Sequence, residues 1–554
     1  MNLGEKVALS FMLSLSFTSL VTAALSLLLS DYIRYSVAVS LGFSILAVTV
    51  SLIRQKRLGN SLALRVRIGK RSLPLLFAIL SYAIIALGLW WSAPHYPTAE
   101  ARDLLVHADV TDAILKGEGR GILLSRDYAV GLHFAGAVAA NLLQVRALDA
   151  LRILVAPVLV AVVTFAYFSA NSVFGSERIA GLTSLVVAFV LPADLIHFVR
   201  AGTFPNIVAD AIVLSLLWLL FFYVQHPSLP VGITMVFLSV AGVFMHSSFL
   251  IFLIIVWTAL PVVFLFFRSD FRSHLQAALY LIAGLLLLAL LMPSFLERNL
   301  QRIFRDYLIV GQPATSVAWV PIDIIYVNLV WNIQTFLGSV NVVAVLIAAS
   351  FIVIRQRKAM GPVFAVMWLS FLTASAFLSG QDWRFVLFLM LPASFAIGNL
   401  IESARKHLEG SSVNFSSTMR QLTRTIVPLA LIVLALSGSL PGLVPRIFNP
   451  LGRERQEAVF ESMKWLQDRG CGSGVASVGL WPDYQYLPAL TGIQYVGDLG
   501  FGKSPDAVVQ RASHFGFRCL VAARESPYFR SFELDQRFRQ NYRNNILAVF
   551  FITY

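Results

Sequence analysis

The sequence has little charge for its length. Only 13% of its 554 residues are charged, 58% are hydrophobic, and the mean hydropathy is +0.76. This composition excludes an ordinary soluble globular protein, in which about a quarter of the residues are charged. Apolar runs of about 17 to 25 residues recur along the chain, and each is long enough to cross the hydrocarbon core as a helix. The sequence therefore predicts a polytopic α-helical membrane protein.

Three further features are missing. The net charge is +14, but no basic groove interleaved with aromatic residues accompanies it, which argues against nucleic acid and favours anionic lipid headgroups as partners. No internal repeat or low-complexity tract is visible. The first apolar run lacks a clear signal-peptide cleavage site and leads quickly into a second run, so we interpret it as a retained span.

The apolar runs predict about thirteen transmembrane helices. Their approximate ranges are 7–29, 35–53, 73–93, 150–171, 178–197, 208–224, 230–246, 248–267, 275–293, 340–355, 361–379, 385–402 and 425–443. The basic segments between them are 54–71, 268–274, 355–358 and 403–424. All four fall on one side of the membrane if the N-terminus is cytoplasmic, as the positive-inside rule requires. We therefore expect a multi-pass plasma-membrane protein with a cytoplasmic N-terminus.

This topology divides the chain into three parts. Residues 1–72 form two N-terminal spans and a basic cytoplasmic loop, and 73–444 form the main membrane core with a long outer loop at 94–149. In residues 445–554, "ERQEAVFESMKWLQDRG" and "SPDAVVQRASHFG", which opens with a Ser cap and Pro, predict helices, and "GVASVGL", "FRCLVAAR" and "NILAVFFITY" predict strands. This pattern predicts a small extracytoplasmic α/β domain. Cys471 and Cys519 both lie in this domain, and their spacing leaves open whether they form a disulfide.

The outer loop 94–149 is long, and loops of this length are usually functional or disordered. Asp103 and His107 are four residues apart and therefore neighbours on one face of an amphipathic helix, which we expect to lie on the membrane surface. A carboxylate at this boundary can act as a general base on an incoming hydroxyl. The alternative is that Asp103, Asp109 and Asp112 form the solvated face of the helix. The segment 128–143 predicts a second loop helix, half sunk in the interface.

Other polar residues gather at the predicted outer ends of spans. They are Asp194, His197, Arg200, Asn206 and Asp210 around the second outer loop, and Asp382 and Arg384 at a later one. Ionisable groups at membrane depth are costly enough to be functional candidates, although helix-end anchoring is the alternative for each. Arg298, Arg302 and Arg305 recur at helical spacing in another outer loop, which suits a phosphate.

The histidines are distributed unevenly. Those that map to the outer face or outer half of the bundle are His95, His107, His133, His197 and His246. Histidine is a poor membrane anchor, so we interpret this distribution as a concave site built from several outer loops.

The order of these features resembles that of the GT-C superfamily, integral-membrane glycosyltransferases that take a sugar from a polyprenyl-phosphate carrier. The resemblance covers roughly residues 73–400. Asp103 occupies the place of the loop aspartate, and Ala113 to Leu115 and Gly117 match the helical run that follows it. The next matches are "YAVGLH" (128–133) without the family's prolines, Leu151 to Arg178, Pro192, "RAGTFPN" (200–206), and Asp382 to Pro392.

The resemblance implies inverting transfer to an acceptor hydroxyl or amide, with Asp103 as the base, and makes 73–444 the catalytic core. Arg384, or Arg302 or Arg305, would stabilise the departing lipid phosphate. The remaining residues with an implied role in substrate binding are His107, His197, Arg200 and Asp382. Pro205 and Asn206 stand where the oligosaccharyltransferase motif has metal-binding acids, which argues against a divalent cation of that kind.

The implied partners are a polyprenyl-phosphate-sugar donor, a glycan, lipid or protein acceptor, and membrane lipids. Two other functions stay open on the sequence alone. One is a transporter or flippase of lipid-linked sugars, which should show broken helices and mid-membrane polar residues. The other is a catalytically inactive accessory subunit with the same scaffold.

Overall fold

The structure is a computed structural model of the full chain. It describes residues 3–57, 75–76, 78–80, 102–125, 129–190, 204–246, 249–250, 271–303, 339–356, 360–378, 390–410, 453–469, 471, 474–480, 493–499 and 504–553. The helices that precede the C-terminal domain are α1 Leu3–Leu28, α2 Tyr32–Arg57, α3 Arg102–Ala113, α4 Gly119–Ser125, α5 Gly131–Leu143, α6 Ala147–Phe174, α7 Glu177–Leu185, α8 Phe204–Gln225, α9 Leu229–Met245, α10 Phe271–Leu291, α11 Pro293–Ile303, α12 Ser339–Arg355, α13 Met360–Leu378 and α14 Met390–Gly410.

The predicted spans are helical wherever the structure describes them. Among the residues that the structure describes, four helical stretches are long and apolar enough to cross a membrane: Glu5–Leu28, Ala147–Phe174, Phe204–Gln225 and Arg272–Leu291. Shorter apolar helices accompany them. The predicted spans 73–93, 248–267 and 425–443 lie almost wholly outside the described residues, so the count of thirteen stays a prediction.

Helices α6 and α8 pack together at the centre of the bundle. Trp218 of α8 is almost fully buried, and its ring centroid lies 5.8 Å from those of Phe165 and Phe168 on α6. The hydroxyl of Ser169 donates to the carbonyl of Leu214 at 2.6 Å. Small hydroxyl side chains of this kind stabilise helix contacts in an apolar bundle, because they bind the neighbouring helix directly.

Helix α5 corrects one expectation. The sequence predicted a loop helix half sunk in the interface, and the helix is present, but nearly all of its residues are buried between α1 and α6. Its many small residues allow this close approach. At Gly136 an added Cβ would lie 2.8 Å from the Leu151 side chain and 3.2 Å from that of Thr111. The small residues of α5 therefore serve close packing between helices.

The segment after residue 452 folds into the predicted α/β domain. Its elements are α15 Arg453–Arg469, β1 Val475–Val478, β2 Tyr495–Asp498, α16 Pro505–Phe515, β3 Cys519–Ala523, α17 Phe529–Leu534, β4 Phe538–Arg543 and β5 Leu547–Ile552. The sheet order is β2-β1-β3-β5-β4. Strand β1 pairs in parallel with β2 and β3, and β5 pairs antiparallel with β3 and β4.

Apolar side chains cover both faces of this sheet. Successive residues of a strand point to opposite faces, so neighbouring residues of β3 belong to different apolar clusters. Cys519 and Val521 belong to the apolar cluster that includes Val459 of α15. Leu520 and Ala522 belong to a second cluster, which includes residues of α16 and α17. The domain therefore has three layers, with helices on each side of the sheet.

Cys471 and Cys519 form a disulfide with a Cα–Cα distance of 5.8 Å. Cys519 begins β3 and pairs with Val475, the first residue of β1, which lies four residues after Cys471, so the sheet brings the two cysteines close together. The predicted N-cap of α16 is also present, since the Ser504 hydroxyl accepts a hydrogen bond from the Ala507 amide at 3.5 Å. Helix α16 ends at Gly516, whose φ of 71° favours glycine.

Candidate functional site

The loop helix α3 is fixed to the bundle at its C-terminal end. It continues into a π-helical turn, Ile114–Glu118, in which Gly117 has a φ of 96° that glycine adopts without strain. The hydroxyl of Tyr32 donates to the Ile114 carbonyl and accepts from the Gly119 amide at 2.9 Å. Gly117 therefore allows the chain to change direction sharply after α3, and the buried Tyr32 stabilises this turn.

Three histidines come together around α3, and we call them the histidine cluster: His107 of α3, His133 of α5 and His246 after the end of α9. Nδ1 of His107 lies 2.9 Å from Nε2 of His133, so one ring donates a hydrogen bond to the other. His246 follows the last residue of α9 and interacts electrostatically with His107. The sequence predicted that these residues share one region, and the structure brings them together.

The surroundings of His107 favour its neutral form. Burial lowers its pKa well below the ordinary value of 6.5, and the charges that His133 and His246 would carry lower it further. Part of the side chain stays accessible, but the ring lies among packed helices. At neutral pH His107 is therefore an uncharged donor and acceptor, suited to orienting a polar group.

Close packing at the start of α5 positions His133. A Cβ added to Gly131 would lie 2.8 Å from the Phe244 carbonyl oxygen and 3.0 Å from the Met245 sulfur. The Ser19 hydroxyl donates to the Gly131 carbonyl at 2.7 Å, which joins α1 to the same point. His133 itself is fully buried. The junction of α1, α5 and α9 therefore sets the position of His133, two residues beyond Gly131.

The buried carboxyl group of Asp210 lies at about the same depth in the bundle as the histidine cluster. Asp210 of α8 is fully buried, and neither of its side-chain oxygens has a hydrogen-bond partner among the described residues. Asp210 lies fifteen residues before the end of α8, and Phe244 lies fifteen residues after the start of the adjacent α9. Each is thus about 22 Å from the connection between the two helices. Asp210 is therefore close in depth to the histidine cluster.

Of the residues predicted for the site, the described part of the chain contains only some. Asp103 lies in α3 one turn before His107, a rise of about 6 Å along the helix axis. Arg302 lies near the end of α11. The predicted site residues that lie outside the described ranges are His197, Arg200, Arg305, Asp382 and Arg384. His95 and Asp194, which the sequence analysis also named, lie outside them as well.

Two other predicted polar residues have assignable contacts. Asp112 forms an ion pair with Lys116 at 2.6 Å, and Asp109 is exposed, which agrees with the interpretation of these two positions as a solvated helix face. The guanidinium of Arg298 donates to the Leu123 carbonyl at 3.1 Å. Arg298 therefore connects α11 to α4, a contact that the helical spacing of the arginines did not predict.

Sequence analysis named His133, His246 and Asp210 only within wider groups of candidates and gave them no role in the reaction, and it did not name Ser19. The uneven distribution of histidines was the signal for the first two, and an acid inside an apolar helix was the signal for Asp210. Within the described residues, no group of three or more His, Cys, Asp or Glu side chains is arranged to hold a metal ion.

No family model and no curated protein matches the sequence. Solved structures do resemble the fold. The archaeal oligosaccharyltransferase AglB from Archaeoglobus fulgidus, in complex with an inhibitory peptide and a dolichol-phosphate, has a TM-score of 0.54 at 13% identity over 81% of this chain and 69% of its own. ArnT from Cupriavidus metallidurans bound to undecaprenyl phosphate has a TM-score of 0.52 at 12% identity over 85% of this chain and 97% of its own. The chain has the GT-C fold, as the sequence resemblance implied.

Proposed function

We propose that this multi-pass membrane protein transfers a sugar from a polyprenyl-phosphate-linked donor to an acceptor hydroxyl or amide at the extracytoplasmic face, with inversion. The observation that carries the proposal is the histidine cluster, which lies one helical turn from Asp103 in a chain with the GT-C fold. Both solved neighbours were determined with a polyprenyl-type phosphate, dolichol-phosphate in AglB and undecaprenyl phosphate in ArnT.

In this proposal Asp103 is the general base. It accepts the proton of the acceptor as the acceptor oxygen or nitrogen attacks the anomeric carbon of the donor, and the carrier phosphate leaves with the bonding electrons. Neutral His107 orients a polar group of either substrate. His197, Arg200 and Asp382 are the further substrate-binding residues. Arg384, or Arg302 or Arg305, offsets the charge that develops on the leaving phosphate.

The C-terminal domain supports an extracytoplasmic location. Structural disulfides form and persist in oxidising compartments, and Cys471 is paired with Cys519 in the interior of this domain. An odd number of spans then gives the cytoplasmic N-terminus that the basic loops favour. We assign 1–72 to the N-terminal spans, 73–444 to the catalytic core, and 445–554 to the extracytoplasmic domain.

The test is sugar transfer by Asp103→Asn in purified protein supplied with a polyprenyl-phosphate sugar. The substitution keeps the size of the side chain but removes the proton acceptor, so we expect turnover to fall by about 10²- to 10⁴-fold with donor binding retained.

Asp109→Asn and Asp112→Asn are the matched controls, because they lie on the same stretch of helix, where Asp109 is exposed and Asp112 pairs with Lys116. Full activity of Asp103→Asn would refute the assignment of the base. Donor binding without transfer in the wild-type protein would instead indicate an accessory subunit, and movement of the intact donor across a bilayer would indicate a transporter.

A further inference from the structure

Helices α1 and α2 lie outside the GT-C-like stretch, so the resemblance gives them no role in the reaction. Much of α2 faces away from the bundle, and its exposed apolar side chains are Tyr35, Val39, Leu41, Phe43, Ile45, Leu46, Val50 and Ile53. Tyr32, the first residue of α2, is in contrast only 1% exposed. A helix that presents much of its apolar surface to lipid therefore has its first residue in the protein interior.

The hydroxyl of Tyr32 contacts both members of one backbone pair. It donates to the carbonyl of Ile114 and accepts from the amide of Gly119 at 2.9 Å. These two residues are five apart, which is the spacing of a π-helical hydrogen bond. Turns of this kind are rare and occur frequently at functional sites. Tyr32 therefore supports the turn at which the chain changes direction between α3 and α4.

Helix α2 is in turn held by α1. The rings of Phe17 and Phe43 stack with their centroids 4.3 Å apart, and the Ser19 hydroxyl of α1 donates to the Gly131 carbonyl at 2.7 Å. The α1–α2 pair therefore contacts the turn after α3 and the start of α5, the two helices that carry the hydrogen-bonded histidines. It is placed to fix the direction of α3 relative to α5.

A small change at the turn becomes larger at Asp103. Asp103 lies eleven residues before Ile114, about 16 Å along the axis of α3. At this length a tilt of α3 by about 4° would move Asp103 by about 1 Å, and a misplacement of about 1 Å at a site can cost about 10²-fold in rate. His107 lies nearer to the turn and would move less.

We propose that Tyr32 is a positioning residue, whose hydroxyl fixes the direction of α3 and so places Asp103 and His107. This inference rests on the proposed sugar transfer, in which Asp103 is the base. Tyr32 acts through the backbone of the turn Ile114–Glu118 and not by contact with a substrate.

The first measurement is amide hydrogen exchange in full-length Tyr32→Phe in detergent. This substitution keeps the buried ring and removes both hydrogen bonds. Exchange in α3 should become about 10-fold faster or more, because two backbone groups at the end of the helix lose a partner. Exchange in α6 should stay as in the wild-type protein. Tyr35→Phe is the matched control, since Tyr35 lies on the same helix with an exposed side chain.

The second measurement is the kinetics of sugar transfer by the same variants. In Tyr32→Phe the kcat should fall about 10-fold or more, because the base is misplaced. The KM for the polyprenyl-phosphate sugar should stay within about 2-fold of wild type, because the groups that hold the donor are unchanged. A general loss of folded protein would not separate kcat from KM in this way.

Gly119→Ala disturbs the same contact from the other side. Its added Cβ would lie 2.7 Å from the ring carbon that bears the Tyr32 hydroxyl, so the tyrosine must move away. We expect faster exchange in α3 and a lower kcat, as in Tyr32→Phe. Gly121→Ala should show neither, since an added Cβ there meets nothing within 4 Å.

Faster exchange in α3 with a lower kcat and an unchanged KM, in Tyr32→Phe but not in Tyr35→Phe, supports the assignment. Unchanged exchange in α3 overturns the hold of Tyr32 on this helix. Faster exchange with the wild-type kcat overturns its role in placing the base, and equal acceleration in α3 and α6 overturns it in favour of a general structural role. A wild-type protein that transfers no sugar refutes the proposed function instead, and the exchange comparison then decides whether Tyr32 fixes α3.

Discussion

Gly131 offers the most direct test of how the histidine cluster is held. Replacing it with alanine adds one Cβ that would lie 2.8 Å from the Phe244 carbonyl oxygen, 2.9 Å from the Phe244 ring and 3.0 Å from the Met245 sulfur. Ordinary contact begins at 3.4 Å. The start of α5 must therefore move away from α9 by about 0.6 Å, because the nearest obstacle is backbone and cannot rotate aside.

The magnitude follows from two opposing effects. Overpacking of this kind costs about 1 to 3 kcal/mol, whereas alanine in a helix is favoured over glycine by about 0.5 to 1 kcal/mol. We expect a net loss of up to about 2.5 kcal/mol in stability. The same shift moves His133, two residues along, and can lengthen its 2.9 Å contact with His107 beyond hydrogen-bond distance. Because a misplacement of about 1 Å can cost about 10²-fold in rate, we expect this smaller shift to lower turnover by less than that.

Gly121→Ala is the matched control, because Gly121 lies inside helix α4 and an added Cβ there meets nothing within 4 Å. Thermal unfolding in detergent should show a lower transition for Gly131→Ala and an equal or higher one for Gly121→Ala. Sugar transfer by the two variants should differ in the same sense. A Gly131→Ala protein as stable and active as wild type would refute the idea that the junction of α5 and α9 positions His133.

Three other predictions concern stability. Burial lowers the pKa of His107, so below pH 6.5 the unfolded chain binds one proton more than the folded chain. The free energy of unfolding should therefore fall as the pH drops below 6.5, by up to about 1.4 kcal/mol per pH unit. In acid unfolding, His107→Gln should show a shallower dependence on pH than the wild-type protein. Cys471→Ser removes a disulfide between residues 48 apart in sequence, so the free energy of unfolding measured without reductant should fall by about 2 to 4 kcal/mol. A decrease of less than about 0.5 kcal/mol would contradict this. Arg405→Ala leaves the buried Glu402 carboxylate without its arginine and should lower the free energy of unfolding by about 2 to 4 kcal/mol. In the same assay, the double variant Glu402→Gln with Arg405→Ala should recover much of this loss, because the buried charge is also removed.

The C-terminal domain shows how far local pattern predicts structure. The sequence predicted α15, β1, α16, β3 and β5, because each is marked by periodicity or by a cap such as Ser504. It missed β4, "FRQNYR", which lies at the edge of the sheet where one side meets solvent and polar residues are tolerated. It also missed β2, which lacks the continuous apolar run that marks β1, and the six-residue α17.

The candidate site was predictable in composition but not in geometry. A chain with so few charged residues makes each ionisable group in an apolar segment informative, which is why the histidine distribution pointed to a shared region. The contacts depend instead on packing between distant parts of the chain. Nothing near Tyr32 in the sequence indicates that it bridges Ile114 and Gly119, and the small residues of α5 were compatible with a surface helix as well as with a buried one.

The charge state of the histidine cluster bears on the proposed mechanism. The histidine cluster contains His107 in a neutral state, so His107 can orient a substrate but cannot offset the negative charge of a leaving phosphate. That compensation requires a group that stays charged when desolvated, and guanidinium is the side chain that does so. Within the described residues the guanidinium of Arg298 donates to the carbonyl of Leu123, whose side chain is buried. The proposed reaction therefore depends on Arg302, Arg305 or Arg384 reaching the carrier phosphate, and the aspartate and histidines alone would bind an acceptor without activating the donor.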